Sequence, residues 1–162
     1  MSNEDEVRLA VPAKPEFLGL ARVTAAGLAS RLGFTFDQVE DLRLAIDEIC
    51  FGMTGSTGRD GVLEVRFLLG QSALTVRGEG HFPAPAPVHL SELSEVILDA
   101  LVDEHFLKDG AEGPHFELVK RLHQPGGETG AGDGDGDGDG DGDGDGDGDG
   151  DEHYGEAQGD AQ

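Results

Sequence analysis

Apolar residues along the first two-thirds of the chain recur either at every second position, as in a strand, or at helical spacing. Each change from one spacing to the other marks the start of a new predicted element. Apolar residues alternate with polar or small ones over residues 7–11, which predicts a first strand. Pro15 then opens a segment with helical spacing that ends at Gly33. A second helical segment runs from about Phe36 to Met53.

The second helix has a clear start and a clear buried face. Thr35 and Gln38 fit a capping box at its beginning. Glu48 lies to one side of the apolar stripe, and Gly52 follows one turn later on the same flank. A stripe of this width is typical of a helix packed on a sheet. Its members are Val39, Leu42, Ala45, Ile46, Ile49 and Met53.

Four more strands and a third helix complete the predicted fold. Ser91 can cap the helix, and the prolines within residues 78–87 argue against regular structure there. The order β-α-α-β-β-α-β-β predicts an α+β fold, a two-layer sandwich of a mostly antiparallel sheet with helices on one face. The predicted bounds of these later elements are residues 62–69, 73–77, 92–102, 105–108 and 115–122.

The helix segment Asp41-Leu-Arg-Leu-Ala-Ile-Asp-Glu-Ile-Cys-Phe-Gly52 resembles the N-box helix of the histidine-kinase/Hsp90-like ATPase fold. Within that superfamily, residues 6–122 resemble the anti-sigma factor serine kinases, most of all their diverged actinobacterial branch. In active relatives the Glu is the general base, and an Asn one turn later coordinates the magnesium of ATP. The resemblance therefore implies Glu48 as a remnant general base with ATP and Mg as cofactors. Gly52 occupies the Asn position and has no side chain with which to bind a metal.

The other nucleotide motifs of this family match only in part. The resemblance places Gly78 where an adenine-reading Asp would stand and Gly80 at the first following glycine, with Glu79 as a neighbouring carboxylate that could substitute. A plain turn after a strand is the alternative for these glycines, and we favour it. The phosphate lid would correspond to residues 109–118, but Pro114 and the alternating pattern that follows it favour a turn into a strand.

Glu48, Cys50 and the histidines can each be explained without a functional role. Glu48 could be a solvated carboxylate or a salt-bridge partner of Arg43 or Arg77. Cys50 lies near the buried stripe without a companion His, which predicts a small core residue. The six histidines are scattered at spacings that predict no metal site.

Composition divides the chain near residue 124. Residues 1–123 carry 20 acidic and 11 basic side chains, whereas residues 124–162 carry 14 acidic and none basic. We expect a disordered N-terminus at residues 1–6, the ATPase-like domain at 7–123 and a disordered acidic tail at 124–162. Both parts are acidic, which disfavours direct nucleic-acid binding and suits a basic protein partner.

The tail alternates strictly between Gly and Asp from Gly132 to Asp151. Glycine and repelling carboxylates predict an expanded, solubilising segment. A formal match to a calcium loop ending at Glu152 is the less favoured alternative, because any Asp-Gly repeat produces most of that pattern. The chain has no long apolar run and no apolar leader, so we expect a cytoplasmic protein without membrane contact.

The resemblance implies three functional hypotheses. The first is an anti-sigma factor with a degenerate nucleotide site, which holds an alternative sigma factor until an anti-anti-sigma factor competes, and which forms a homodimer. The alternative is an active serine/threonine kinase that phosphorylates the anti-anti-sigma protein. The third is a regulatory domain that has kept the fold and lost both activities.

Overall fold

The computed structural model describes residues 5–84 and 87–123. The predicted order of elements is confirmed. The acidic tail, with its predicted disorder and calcium-loop pattern, lies outside the described residues. The elements are β1 Asp5–Pro12, α1 Pro15–Arg31, α2 Phe36–Thr54, β2 Val62–Leu69, β3 Ala73–His81, α3 Glu92–Leu101, β4 Glu104–Gly110 and β5 Gly113–Arg121.

The strands form one antiparallel sheet in the order β1-β2-β3-β5-β4. Because side chains alternate along a strand, every second residue points toward the helices. The structure is therefore the two-layer α+β sandwich that the sequence predicts. One cross-strand row on the helix face, here named the apolar row, consists of the paired neighbours Leu9, Val65, Gly78, Phe116 and Leu107.

The opposite face of the sheet carries interleaved charges. Arg8, Arg66 and Arg77 are direct cross-strand neighbours, an arrangement of like charges that is unfavourable alone. Carboxylates offset it, because Arg77 Nε bonds Glu117 at 2.6 Å and Arg66 bonds Glu79. The open face of the sheet is consequently a network of paired charges.

Helix α2 lies between α1 and α3 and contacts the sheet. Its predicted stripe is buried at all six positions. The predicted capping box is confirmed: Gln38 N–H donates to Thr35 Oγ1 at 3.3 Å, and Thr35 N–H donates to Gln38 Oε1 at 3.0 Å. No helix in the described residues is long and apolar enough to span a membrane.

Four strands extend beyond their predicted ends, and two of these extensions, in β1 and β3, change an expectation. Strand β1 begins at Asp5, inside the segment predicted to be disordered, and Glu6 pairs there with Leu68. Strand β3 continues through Gly78 and Gly80 to His81, where irregular structure was predicted. Glycine weakens a strand unless a neighbour covers it, and here an aromatic ring lies over each of the two glycines.

Lys120 is a buried cation that joins the two layers. Its Nζ lies 3.0 Å from Asp41 Oδ2 on α2 and 2.6 Å from the carbonyl oxygen of Leu101 at the end of α3. The lysine charge is thereby paired, and a carbonyl at a helix C-terminus gains a donor. One side chain of β5 thus holds two helices in place.

We expect Lys120→Met to lower the free energy of unfolding by about 2 kcal/mol, because it leaves the Leu101 carbonyl and the Asp41 carboxylate without their donor. Chemical denaturation monitored by circular dichroism measures the change. Lys108→Met is the matched control, since Lys108 is exposed and contacts the face of Phe106. Equal stability of the two variants would contradict the joining role of Lys120.

Candidate functional site

Glu48 lies in the middle of α2 and is half-buried. Neither salt-bridge partner suggested by the sequence reaches it, because Arg43 bonds Glu40 at 2.6 Å and Arg77 bonds Glu117 at 2.6 Å. Within residues 5–84 and 87–123, Glu48 makes no hydrogen bond or ion pair. The salt-bridge interpretation is therefore wrong, and the described part of the chain offers this carboxylate no partner.

Gly52 follows Glu48 by one turn and is covered by apolar side chains. A Cβ at this position would lie 2.8 Å from Leu90 Cδ2 and 3.1 Å from Leu107 Cδ2. Both distances are shorter than ordinary van der Waals contact. A longer, metal-binding side chain at position 52 would have to displace both leucines.

Gly78 lies in β3, directly opposite Phe116 of β5. The Phe116 side chain is 1% exposed, and its ring lies so close to Gly78 that an added Cβ would overlap it. The position that the resemblance assigns to an adenine-reading carboxylate is thus occupied by an aromatic ring. Phe116 pairs in turn with Leu107, so the same apolar row reaches from Gly78 to Gly52.

Gly80 and Glu79 do not restore a nucleotide motif. A Cβ at Gly80 would lie 2.6 Å from Phe82 Cζ and 3.0 Å from Pro114 Cγ, so a side chain there has no room. Glu79 bonds Arg66 on the open face of the sheet, the side away from the helices. The suggestion that Glu79 substitutes for the missing Asp is therefore wrong.

The second glycine segment forms a tight turn between strands. Strand β4 ends at Gly110, β5 begins at Gly113, and these two residues pair with each other. Gly113 has a φ of 119°, a conformation that favours glycine. The predicted turn into a strand is confirmed. A cavity of about 390 Å³ beside this turn is lined by Phe106 and His115, among others, but by neither Glu48 nor Gly52.

The geometry can be tested against magnesium-bound ATP. Positions 52 and 78 are glycines and offer no side-chain ligand atom, and a Cβ at either position would lie closer to a neighbouring side chain than ordinary van der Waals contact. Glu48 alone could face a cation. In residues 5–84 and 87–123, no group of three or more His, Cys, Asp or Glu side chains is arranged to hold a metal ion. The residues present do not fit a nucleotide bound in the manner that the resemblance implies.

Cys50 lies on the buried face of α2 and belongs to the core, as predicted. It is 1% exposed, and this burial, with a smaller contribution from Asp47, raises the pKa of the thiol to about 12. The thiolate is the reactive form of cysteine, so the folded chain holds Cys50 in its unreactive form at neutral pH.

Comparison with known proteins relates the chain to bacterial kinases over part of its length. No family model matches. The chain is 38% identical over 77 residues to the serine-protein kinase RsbW of Bacillus pumilus (strain SAFR-032), covering 44% of this chain and 48% of that protein. It is 36% identical over 78 residues to RsbW of Bacillus subtilis (strain 168), covering 46% and 49%. The chain thus spans about half the length of these curated relatives.

A shorter match is closer in sequence. The serine-protein kinase RsbW of Oceanobacillus iheyensis is 50% identical over 48 residues, which is 30% of each chain. The printed name of these relatives, serine-protein kinase, is consistent with the family that the α2 segment resembles. The residues that fill the space around Gly52 and Gly78, namely Leu90, Leu107 and Phe116, carry no signal in the sequence beyond being apolar.

We expect Cys50 to resist a thiol-specific reagent at pH 8 in the folded chain and to react fully in denaturant, because its pKa lies far above that pH. The single cysteine makes the labelled fraction a direct measure of exposure. Complete labelling of the native chain within minutes would show that α2 leaves the sheet readily.

We expect Gly78→Ala to lower the free energy of unfolding by about 2–3 kcal/mol, because its methyl group overlaps the Phe116 ring. Gly27→Ala is the matched control. Position 27 is helical with open space around it, so this change should raise stability by up to about 1 kcal/mol. Thermal denaturation compares the two variants, and unchanged stability of Gly78→Ala would mean that the ring does not hold its position.

Proposed function

We propose that this chain is an anti-sigma factor that sequesters an alternative sigma factor and does not transfer phosphate efficiently. One observation carries the proposal: Leu107 and Phe116 fill the space beside Gly52 and Gly78. Losing one oriented group of a catalytic site commonly costs about 10²–10³ in rate, and where groups act as a unit, the loss of one can remove most of their joint effect. Protein binding needs none of these groups.

Charge and sequence relationship support a protein-binding role. Residues 1–123 carry nine more acidic than basic side chains, which suits a basic partner such as the DNA-binding surface of a sigma factor. The relatives are named as serine-protein kinases. The α2 segment resembles the helix that carries the general base in active members of that family. An anti-anti-sigma factor would release the sigma factor by competing for the same surface.

Of the remaining features of the proposal, the homodimer follows from the resemblance, and the others follow from composition and charge. The protein would act in the cytoplasm as a homodimer, without direct contact with nucleic acid or membrane. The sheet and the helices packed on it would form a rigid platform, and the filled interior would keep that platform stable without a bound nucleotide.

An active kinase that phosphorylates an anti-anti-sigma protein is the second candidate. The unpartnered carboxylate of Glu48 favours it, since a general base must be free to accept a proton. The name of the relatives points the same way. Mg-ATP would be its cofactor, and Gly52 and Gly78 weigh against it.

Isothermal titration of the full chain with Mg-ATP separates the two candidates. We expect no heat of binding at millimolar nucleotide, because the space around positions 52 and 78 is filled. Glu48→Ala is the control. Micromolar binding that disappears in Glu48→Ala would overturn the degenerate-site proposal and favour the kinase.

Binding of a sigma factor is tested separately. Each purified alternative sigma factor of the source organism is titrated into the nucleotide-free full chain and followed by fluorescence anisotropy. We expect one of them to bind, and nucleotide should not change its affinity. Failure of every sigma factor to bind would leave the anti-sigma proposal without support and overturn it.

A further inference from the structure

On the outer face of α2, one exposed apolar residue lies on each side of Glu48 along the helix. Leu44 is 55% exposed and Phe51 is 54% exposed. Positions 44, 48 and 51 follow helical spacing and lie on one line along the helix, with about 10 Å between its ends. We name Leu44, Glu48 and Phe51 the α2 stripe.

Glu48 differs from the other four carboxylates of α2. Asp37 lies in the first turn, where the helix dipole stabilises a negative charge. Glu48 lies mid-helix and has no partner in the described residues. The remaining three carboxylates are paired: Glu40 with Arg43, Asp41 with Lys120 and Asp47 with Arg22.

The negative charge of the folded part is concentrated around the α2 stripe. Helix α2 has five acidic residues and one basic one, and α3 has three acidic residues and none basic. Three of the α2 carboxylates are neutralised by cations, so within the described residues the unpaired charge comes from Asp37, Glu48 and Glu92. On the open face of the sheet, Arg66 and Arg77 each bond a glutamate. A basic partner is therefore attracted to the α2–α3 side of the helix layer rather than to the sheet.

We infer that the α2 stripe is a docking site for a helix of a basic protein partner, in which a lysine or arginine bonds Glu48 between two apolar side chains that pack on Leu44 and Phe51. The inference rests on the proposed function and adds the surface and the chemistry of recognition. Apolar contacts on both sides would exclude water from the ion pair and strengthen it, as at the centre of many protein interfaces.

The test uses the full chain and the anisotropy titration with each purified alternative sigma factor. We expect Glu48→Lys to weaken binding by about 100-fold, because it opposes like charges within the contact. Leu44→Ser and Phe51→Ser should each weaken binding by about 10-fold. Circular dichroism of each variant verifies that the exposed substitutions leave the fold intact.

Two controls make the test specific. Leu93→Ser and Glu92→Gln change an exposed apolar residue and an acidic residue of α3, and each should alter affinity less than about threefold. Reversing a single Lys or Arg of the sigma factor to Glu should restore binding to Glu48→Lys. Restoration by one such change would identify the partner residue.

The outcomes distinguish the inference from the function on which it rests. A sigma factor that binds the wild type and all α2 variants equally overturns the docking site and leaves the anti-sigma proposal standing. Equal losses from Leu93→Ser and Leu44→Ser also overturn it, because the stripe would then have no special role. If no sigma factor binds the wild type, the proposed function fails and the inference fails with it.

Discussion

The packing of α2 on the sheet determines where Glu48 and Gly52 lie. Its buried stripe places Leu42, Ile46 and Ile49 in the core at 1% exposure or less, and each such side chain contributes about 1.5–3 kcal/mol. Lys120 then fixes α2 from the side through Asp41. Burial of these residues fixes how α2 is turned about its own axis. Glu48 and Gly52 therefore lie on one side of the helix, next to its buried face.

The apolar row explains why a glycine at position 78 and a closed interior occur together. A glycine within a strand leaves a gap, and an empty gap would cost packing energy. Phe116 lies opposite and fills that gap, while its neighbour Leu107 reaches Gly52. Restoring a carboxylate at position 78 would therefore also require a smaller residue at position 116, because the new side chain and the Phe116 ring would occupy the same space.

The local features of this fold could be predicted from sequence, whereas the contacts between distant segments could not. The capping box of Thr35 and Gln38 depends on residues only three positions apart, and the apolar spacing of the sequence also indicates the buried face of α2. Phe116 covers Gly78 from another strand, and that register depends on tertiary pairing. The same limit explains the missed extension of β3 and the wrong pairing suggested between Glu48 and Arg77, because both depended on which strand lies beside which. Arg43, in contrast, bonds Glu40 one turn earlier in the same helix.

Charge distribution links this architecture to the direction from which a partner approaches. The sheet interleaves arginines with glutamates, so its field largely cancels within the Debye length of about 8 Å at physiological salt. Helices α2 and α3 carry unbalanced negative charge, and their field extends into solvent on the same side as Leu44 and Phe51. Long-range attraction and short-range apolar contact therefore act on the same surface, and a half-buried carboxylate between apolar residues adds selectivity for a correctly placed cation.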